Sequence, residues 1–112
     1  MIHQMGLYGE YFQSIKEGKK QVEVRLNDEK RRRIKAEDTI EFIKVPERDE
    51  ILQVKVVELK AYDTFLAMYN EIPFDDFGCE GWTMKEMVDG TYEIYSPEQE
   101  KEWGALAIRI TY

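Results

Sequence analysis

Cysteine and histidine are nearly absent from this 112-residue chain, which has one of each, Cys79 and His3. A lone cysteine cannot close an internal disulfide, and the two residues together cannot build a zinc site of ordinary Cys/His composition. Neither a metal nor a cofactor is therefore expected, and a reducing cytoplasm is the simplest setting. No apolar run approaches the ~20 residues of a membrane span, so no membrane partner is expected. Residues 1–8 lack the basic-then-apolar pattern of a signal peptide. There is no Gly-rich phosphate loop of the Walker or dinucleotide type, which removes most nucleotide-driven enzyme classes that a sequence can reveal.

What is present describes a folded chain. At 43% hydrophobic and 12% aromatic residues it is too apolar to be disordered. Its length fits one domain spanning 1–112. A domain of that size buries roughly two-thirds of its unfolded surface and needs no covalent staple.

The net charge is −7, but it is unevenly placed. Residues 16–35 hold nine basic side chains against Glu17, Glu23, Asp28 and Glu29, a local net of +5. Residues 71–103 hold ten acidic groups against Lys85 and Lys101. A basic patch on an acidic protein can hold an anion locally while the molecule repels bulk nucleic acid. The plainer alternative is that Arg31, Arg32 and Arg33 line a solvated turn.

Periodicity supplies the elements. Tyr11, Phe12 and Ile15 fall at helical spacing and Gly18 stops the helix. Residues 21–26 alternate: Val22, Val24 and Leu26 point one way, and Gln21, Glu23 and Arg25 the other. Residues 27–35 read as a polar connection. Strands are expected at 39–45 and 51–62, with a hairpin turn at 46–50 and a bend near Val57. Asp63 or Thr64 caps a helix carrying Phe65, Leu66, Met68 and Tyr69. Thr83 with Glu86 forms a capping box for a helix running to residues 89–90. Pro97 opens a last helix ending at Gly104, and 105–112 is the closing strand. The N-terminus, with His3, reads as frayed. At least four strands with short helices between them predict an α+β fold, a small, partly closed mixed β-barrel with a cleft beside it.

The segment 18–25, Gly-Lys-Lys-Gln-Val-Glu-Val-Arg, carries the chemistry. Glu23 and Arg25 leave the same face of a strand that begins directly after Lys19 and Lys20. In a cleft, Lys20 and Arg25 would bind an anionic or carbonyl group, and Glu23 would orient them or accept from a base amino group. On an open sheet the same pattern is only a wet face. Trp82 and Phe77 are candidates for stacking on a base, or for pinning a loop to the core. Cys79 reads as a small, partly buried residue. Arg109 on the last strand would reach the Glu23–Arg25 face if the two strands are neighbours.

Tyr11-Phe12, Ile15, Gly18-x-Lys20-x-x-Glu23-x-Arg25 and Ile34-Lys35-x-x-Asp38-x-Ile40-x-Phe42 together resemble the ASCH domain, a branch of the PUA-like superfamily. Tyr95-Ser96-x-Glu98-x-Glu100 with Gly104 and Ile108 resembles that family's closing helix and strand. Members usually carry Gly-Asp where this chain has Glu37-Asp38. The resemblance implies a small PUA-like β-barrel and an RNA- or nucleotide-binding role linked to RNA metabolism or translation. Lys19, Lys20, Glu23 and Arg25 would form one wall of the ligand site, with Trp82 and Thr83 on the other.

One branch of the family consists of amidohydrolases acting on N4-acetylcytidine, and other members resemble ribonucleases. By resemblance to the amidohydrolases, Lys20 and Glu80 would be catalytic. Their threonine is Glu23 here, and a carboxylate cannot serve as that hydroxyl nucleophile. For a ribonuclease the corresponding candidates are Lys20, Tyr11 and Ser96. A third reading is a protein-interaction module using the acidic half of the chain, 71–103.

Overall fold

The computed structural model describes residues 1–112. Five strands form one mixed sheet: β1 (Ile2–Tyr8), β2 (Val22–Leu26), β3 (Thr39–Val45), β4 (Ile51–Tyr62) and β5 (Ala105–Thr111). The order across the sheet is β1-β3-β4-β5-β2. β1 pairs with β3 in parallel, and the other neighbours are antiparallel. Four helices fill the connections: α1 (Gly9–Lys16), α2 (Phe65–Glu71), α3 (Met84–Tyr92) and α4 (Pro97–Trp103). None is long and apolar enough to cross a membrane.

The two edge strands, β1 and β2, approach one another, because Arg25 on β2 donates from Nη2 to the Gly6 carbonyl on β1 at 2.9 Å. The sheet thus curls into a half-barrel, the α+β architecture expected. Its inner face packs Met5, Leu7, Ile40, Phe42, Val54, Val56 and Ile108 against Phe12 and Ile15 of α1. The outer face of the β2–β5 end packs Val22, Leu26, Ala105 and Ala107 against Phe65, Met68 and Tyr69 of α2 and Met87 of α3. Helix α1 closes the inside of the half-barrel, and α2 and α3 cover the outside of one end.

Local chemistry explains the ends of these elements. Thr64 caps α2 by accepting from the Ala67 amide. Thr83 and Glu86 form the expected capping box of α3, and Ser96 and Gln99 form another on α4. Gly104 ends α4 at φ +75°, where a Cβ would stand 2.7 Å from the Tyr62 carbonyl oxygen. β4 carries the expected irregularity, a register shift between Val56 and Glu58.

Three expectations are corrected. The N-terminus is not frayed: it is strand β1, and His3 hydrogen-bonds Asp38 at 2.8 Å. The alternation in β1 is masked because Ile2 and Tyr8, which are exposed, flank the buried Met5 and Leu7. The connection at 27–35 is not wholly polar, since Arg31–Arg33 form a short 3-10 turn and Ile34 enters the half-barrel core. Helix α3 runs on past residues 89–90 to Tyr92, because Thr91 is buried and its hydroxyl donates to the Met87 carbonyl.

Candidate functional site

Register decides where the charged face of β2 points. Glu23 lies opposite Ile108, and Arg25 opposite Leu106. Directly paired residues share a face, so both charged side chains lie on the inner face with Ile108 and Leu106, which belong to the barrel core. Val22, Val24 and Leu26 take the outer face. The ionic side is therefore not a wet face: Glu23 is 4% exposed.

Lys20 is brought to the same place by the end of α1. After Gly18 the chain turns, the Lys20 amide donates to the Ser14 carbonyl, and Lys20 bridges Phe77 in antiparallel fashion. Gly78 makes this approach possible: it sits at φ +76°, and a Cβ there would stand 2.7 Å from Ser14 Oγ and 3.2 Å from Lys20 Cβ.

The three groups form a buried triad. Glu23 Oε2 accepts from Arg25 Nε at 3.0 Å and Nη2 at 2.8 Å. Glu23 Oε1 accepts from the Val24 amide at 3.1 Å and lies 3.4 Å from Lys20 Nζ. A carboxylate offers about four lone-pair directions; three take hydrogen bonds from Arg25 and the Val24 amide, and Lys20 adds an ion pair at Oε1. Burial alone would raise the Glu23 carboxyl. The charges of Arg25 and Lys20, with these hydrogen bonds, outweigh it and hold the group below the ordinary carboxylate range. Two cations against one anion leave the site with a net positive charge. Lys20 has Glu23 as its one carboxylate neighbour and stands 5.6 Å from the centre of the Tyr11 ring, so its ammonium has protons to offer a ligand.

The triad lies at the wall of a cavity of about 390 Å³ bordered by β1, β2, the loop after α2, and α3. Tyr8, Tyr11, Tyr69, Trp82 and Tyr95 supply aromatic surface. Tyr69 and Thr91 add a buried hydroxyl pair at 2.6 Å. Thr91 spends its proton on the Met87 carbonyl, so Tyr69 donates to Thr91 and keeps acceptor capacity of its own. Burial pushes the Tyr69 phenol up to about 12, so it stays protonated. Burial also raises the Cys79 thiol, which lines the same cavity.

Of the residues singled out in the sequence, Lys20, Glu23, Arg25, Tyr11, Phe77 and Trp82 line this cavity. Lys19, Glu80, Thr83 and Ser96 do not. Lys19 is exposed and lies 3.4 Å from Glu17. Glu80 is exposed in the loop ahead of α3. Thr83 and Ser96 are occupied as helix caps. Arg109 is on a neighbouring strand, as its reach requires, but it faces Val22 on the outer side and pairs with Asp76 at 2.9 Å. The part of the tyrosine–threonine pair and of Tyr95 in the cavity was not legible in the sequence, since they come from α2, α3 and the segment after α3. The wide sequence separation of Tyr69 and Thr91 leaves no local signal. No three His, Cys, Asp or Glu side chains cluster so as to hold a metal ion.

Comparison with known proteins agrees with this architecture. The hypothetical protein PH0355 superposes with a TM-score of 0.88 at 37% identity, covering 99% of this chain and 98% of that one. Protein PF0455 from Pyrococcus furiosus gives 0.78 at 34% identity, covering 99% and 96%. A point-mutant form of ZmASCH from Zymomonas mobilis shares the fold, with a TM-score of 0.65 at 14% identity, covering 99% of this chain and 69% of that one. No curated protein matches the chain. The family model of the ASCH domain matches residues 5–112, and the chain belongs to the ASCH-domain family.

Proposed function

We propose that the cavity binds the base of an RNA or nucleotide-like ligand. The observation that carries this reading is the Lys20–Glu23–Arg25 triad, buried at the wall of an aromatic-lined cavity of small-molecule size. Flat π-faces accept any base by stacking. A base edge presents carbonyl oxygens and amino groups side by side. The Lys20 ammonium is a donor for a carbonyl or phosphate oxygen, and the Tyr69 phenol oxygen is an acceptor for an amino group. Glu23 holds the two cations in place. Both its oxygens are already held by Arg25, the Val24 amide and Lys20, which makes orientation its main part.

The charge environment of Glu23 favours binding over hydrolysis. Arg25 and Lys20 hold the Glu23 carboxyl below the ordinary carboxylate range, which makes it a weak base toward water, and the exposed Glu80 stands outside the cavity. Trp82 is the natural reporter in a Trp103→Phe background. Titration with nucleosides, their 5′-monophosphates and N4-acetylcytidine is expected to give a saturable change in its fluorescence. Lys20→Met should weaken binding about tenfold, the loss of one charge-assisted hydrogen bond. Absence of a saturable signal with every probe, or equal affinity in Lys20→Met, overturns the reading. Release of acetate from N4-acetylcytidine, lost in Lys20→Met, replaces it with a hydrolase.

A further inference from the structure

Six of the sixteen Lys and Arg side chains lie beyond 4 Å of any carboxylate: Lys30, Arg32, Arg33, Lys35, Arg48 and Lys101. Four of the six fall within residues 30–35. On a chain of net charge −7 this turn carries five basic groups against Asp28 and Glu29. Asp28 is already engaged by Arg31 at 3.1 Å. Lys30, Arg32, Arg33 and Lys35 are all exposed. Elsewhere the protein neutralises nearly every cation it displays, and here it leaves four uncompensated.

The turn is fixed in position. Arg32 Nε donates to the Asn27 carbonyl at 2.8 Å, and its guanidinium lies 5.7 Å from the centre of the Trp103 ring. The Arg31 amide and guanidinium both bond Asp28. It is also next to the cavity. Asn27 follows Arg25 by two residues, roughly 7 Å of extended chain. Tyr95, a wall of the cavity, is close enough to Arg25 and Glu23 of the triad and to Arg31 and Asp28 of the turn for the charges of all four to act on its phenol.

We propose that the turn at 30–35 is a phosphate-tracking surface, so that the natural ligand is a nucleotide within a single strand, its base in the cavity and its neighbouring phosphates on Lys30, Arg33 and Lys35. This rests on the base-binding reading of the cavity. A duplex would hold its bases stacked and out of the cavity, whereas a single strand can turn one out at little cost. The acidic remainder of the surface repels nucleic acid elsewhere, which confines the strand to this side of the molecule.

The test compares the intact protein with a Lys30→Ala/Arg33→Ala/Lys35→Ala variant, whose altered side chains make no ion pair within the fold. A labelled single-stranded RNA of about 12 nucleotides, free nucleosides and phosphatidylserine vesicles are the probes. The triple variant is expected to bind the RNA at least about tenfold more weakly, with the slope of log affinity against log salt reduced by about 2. Nucleoside binding, read by Trp82, stays unchanged. RNA affinity and salt slope equal to the parent, with nucleosides bound by both, overturn the turn's role and leave the cavity reading standing. RNA binding lost in the variant while nucleosides bind neither protein overturns the cavity reading and the single-strand assignment with it. Vesicle binding that the variant loses, without any change in RNA binding, reassigns the turn to an anionic membrane surface.

Discussion

Arg25 ties the open sides of the half-barrel together: its Nη2 lies 2.9 Å from the Gly6 carbonyl, across the gap between the two edge strands. The same guanidinium grips Glu23 through Nε and Nη2. One side chain thus closes the sheet and neutralises a buried carboxylate beside the cavity. The structure and the site share this residue, so a binding assay on an Arg25 variant would confuse the two roles, and Lys20 is the cleaner probe.

Arg25→Ala is expected to cost about 3–5 kcal/mol, because it leaves Glu23 buried with one cation instead of two and frees the Gly6 carbonyl. Lys20→Met should cost less, since Arg25 keeps its paired hydrogen bonds to Glu23 and the methionine fills the stem's volume. Urea unfolding of both variants measures this. Equal losses in the two would refute the division of roles.

Glu37 sits at φ +77°, a region that L side chains enter at a cost. Its side chain is 82% exposed and its nearest cation, Lys55 Nζ, is 3.9 Å away. Glu37→Gly is therefore expected to stabilise the protein by about 1 kcal/mol, after the entropy that glycine gains in the unfolded chain. Thermal unfolding should shift upward by about 4 °C. A downward shift contradicts it.

Asp38 is held at about 2, chiefly by the hydrogen bond from His3 and then by the Lys35 amide. Its value is depressed on folding, so its contribution is fully present above the ordinary carboxylate value near 3.8 and is lost as pH falls through about 2. The melting-temperature gap between the parent and Asp38→Asn should close as pH falls between about pH 4 and 2. A gap independent of pH over that range would refute the linkage.

Gly104 is the hinge from α4 into β5. Alanine there would combine a positive φ with a Cβ 2.7 Å from the Tyr62 carbonyl oxygen. Gly104→Ala is expected to cost about 3 kcal/mol, read from denaturant midpoints at unchanged m-value.

The sequence by itself determined most of the elements. Alternation, strict in β2 and interrupted in β3 and β4, marked those strands, cap residues placed α2, α3 and α4, and the glycine-lysine-glutamate-arginine string flagged the right strand. β1 stayed hidden because Ile2 and Tyr8 lie on its exposed side, so apolar residues occur on both faces and period two disappears. Only the tertiary structure decided which face of β2 is inside. Alternation says that Glu23 and Arg25 point together, but the direction depends on pairing with β5, whose Ile108 and Leu106 belong to the core. Strand register is a long-range property: it puts a charged pair inside a half-barrel only because Lys20, Arg25 and the Gly6 carbonyl, from three separate elements, meet there to satisfy it.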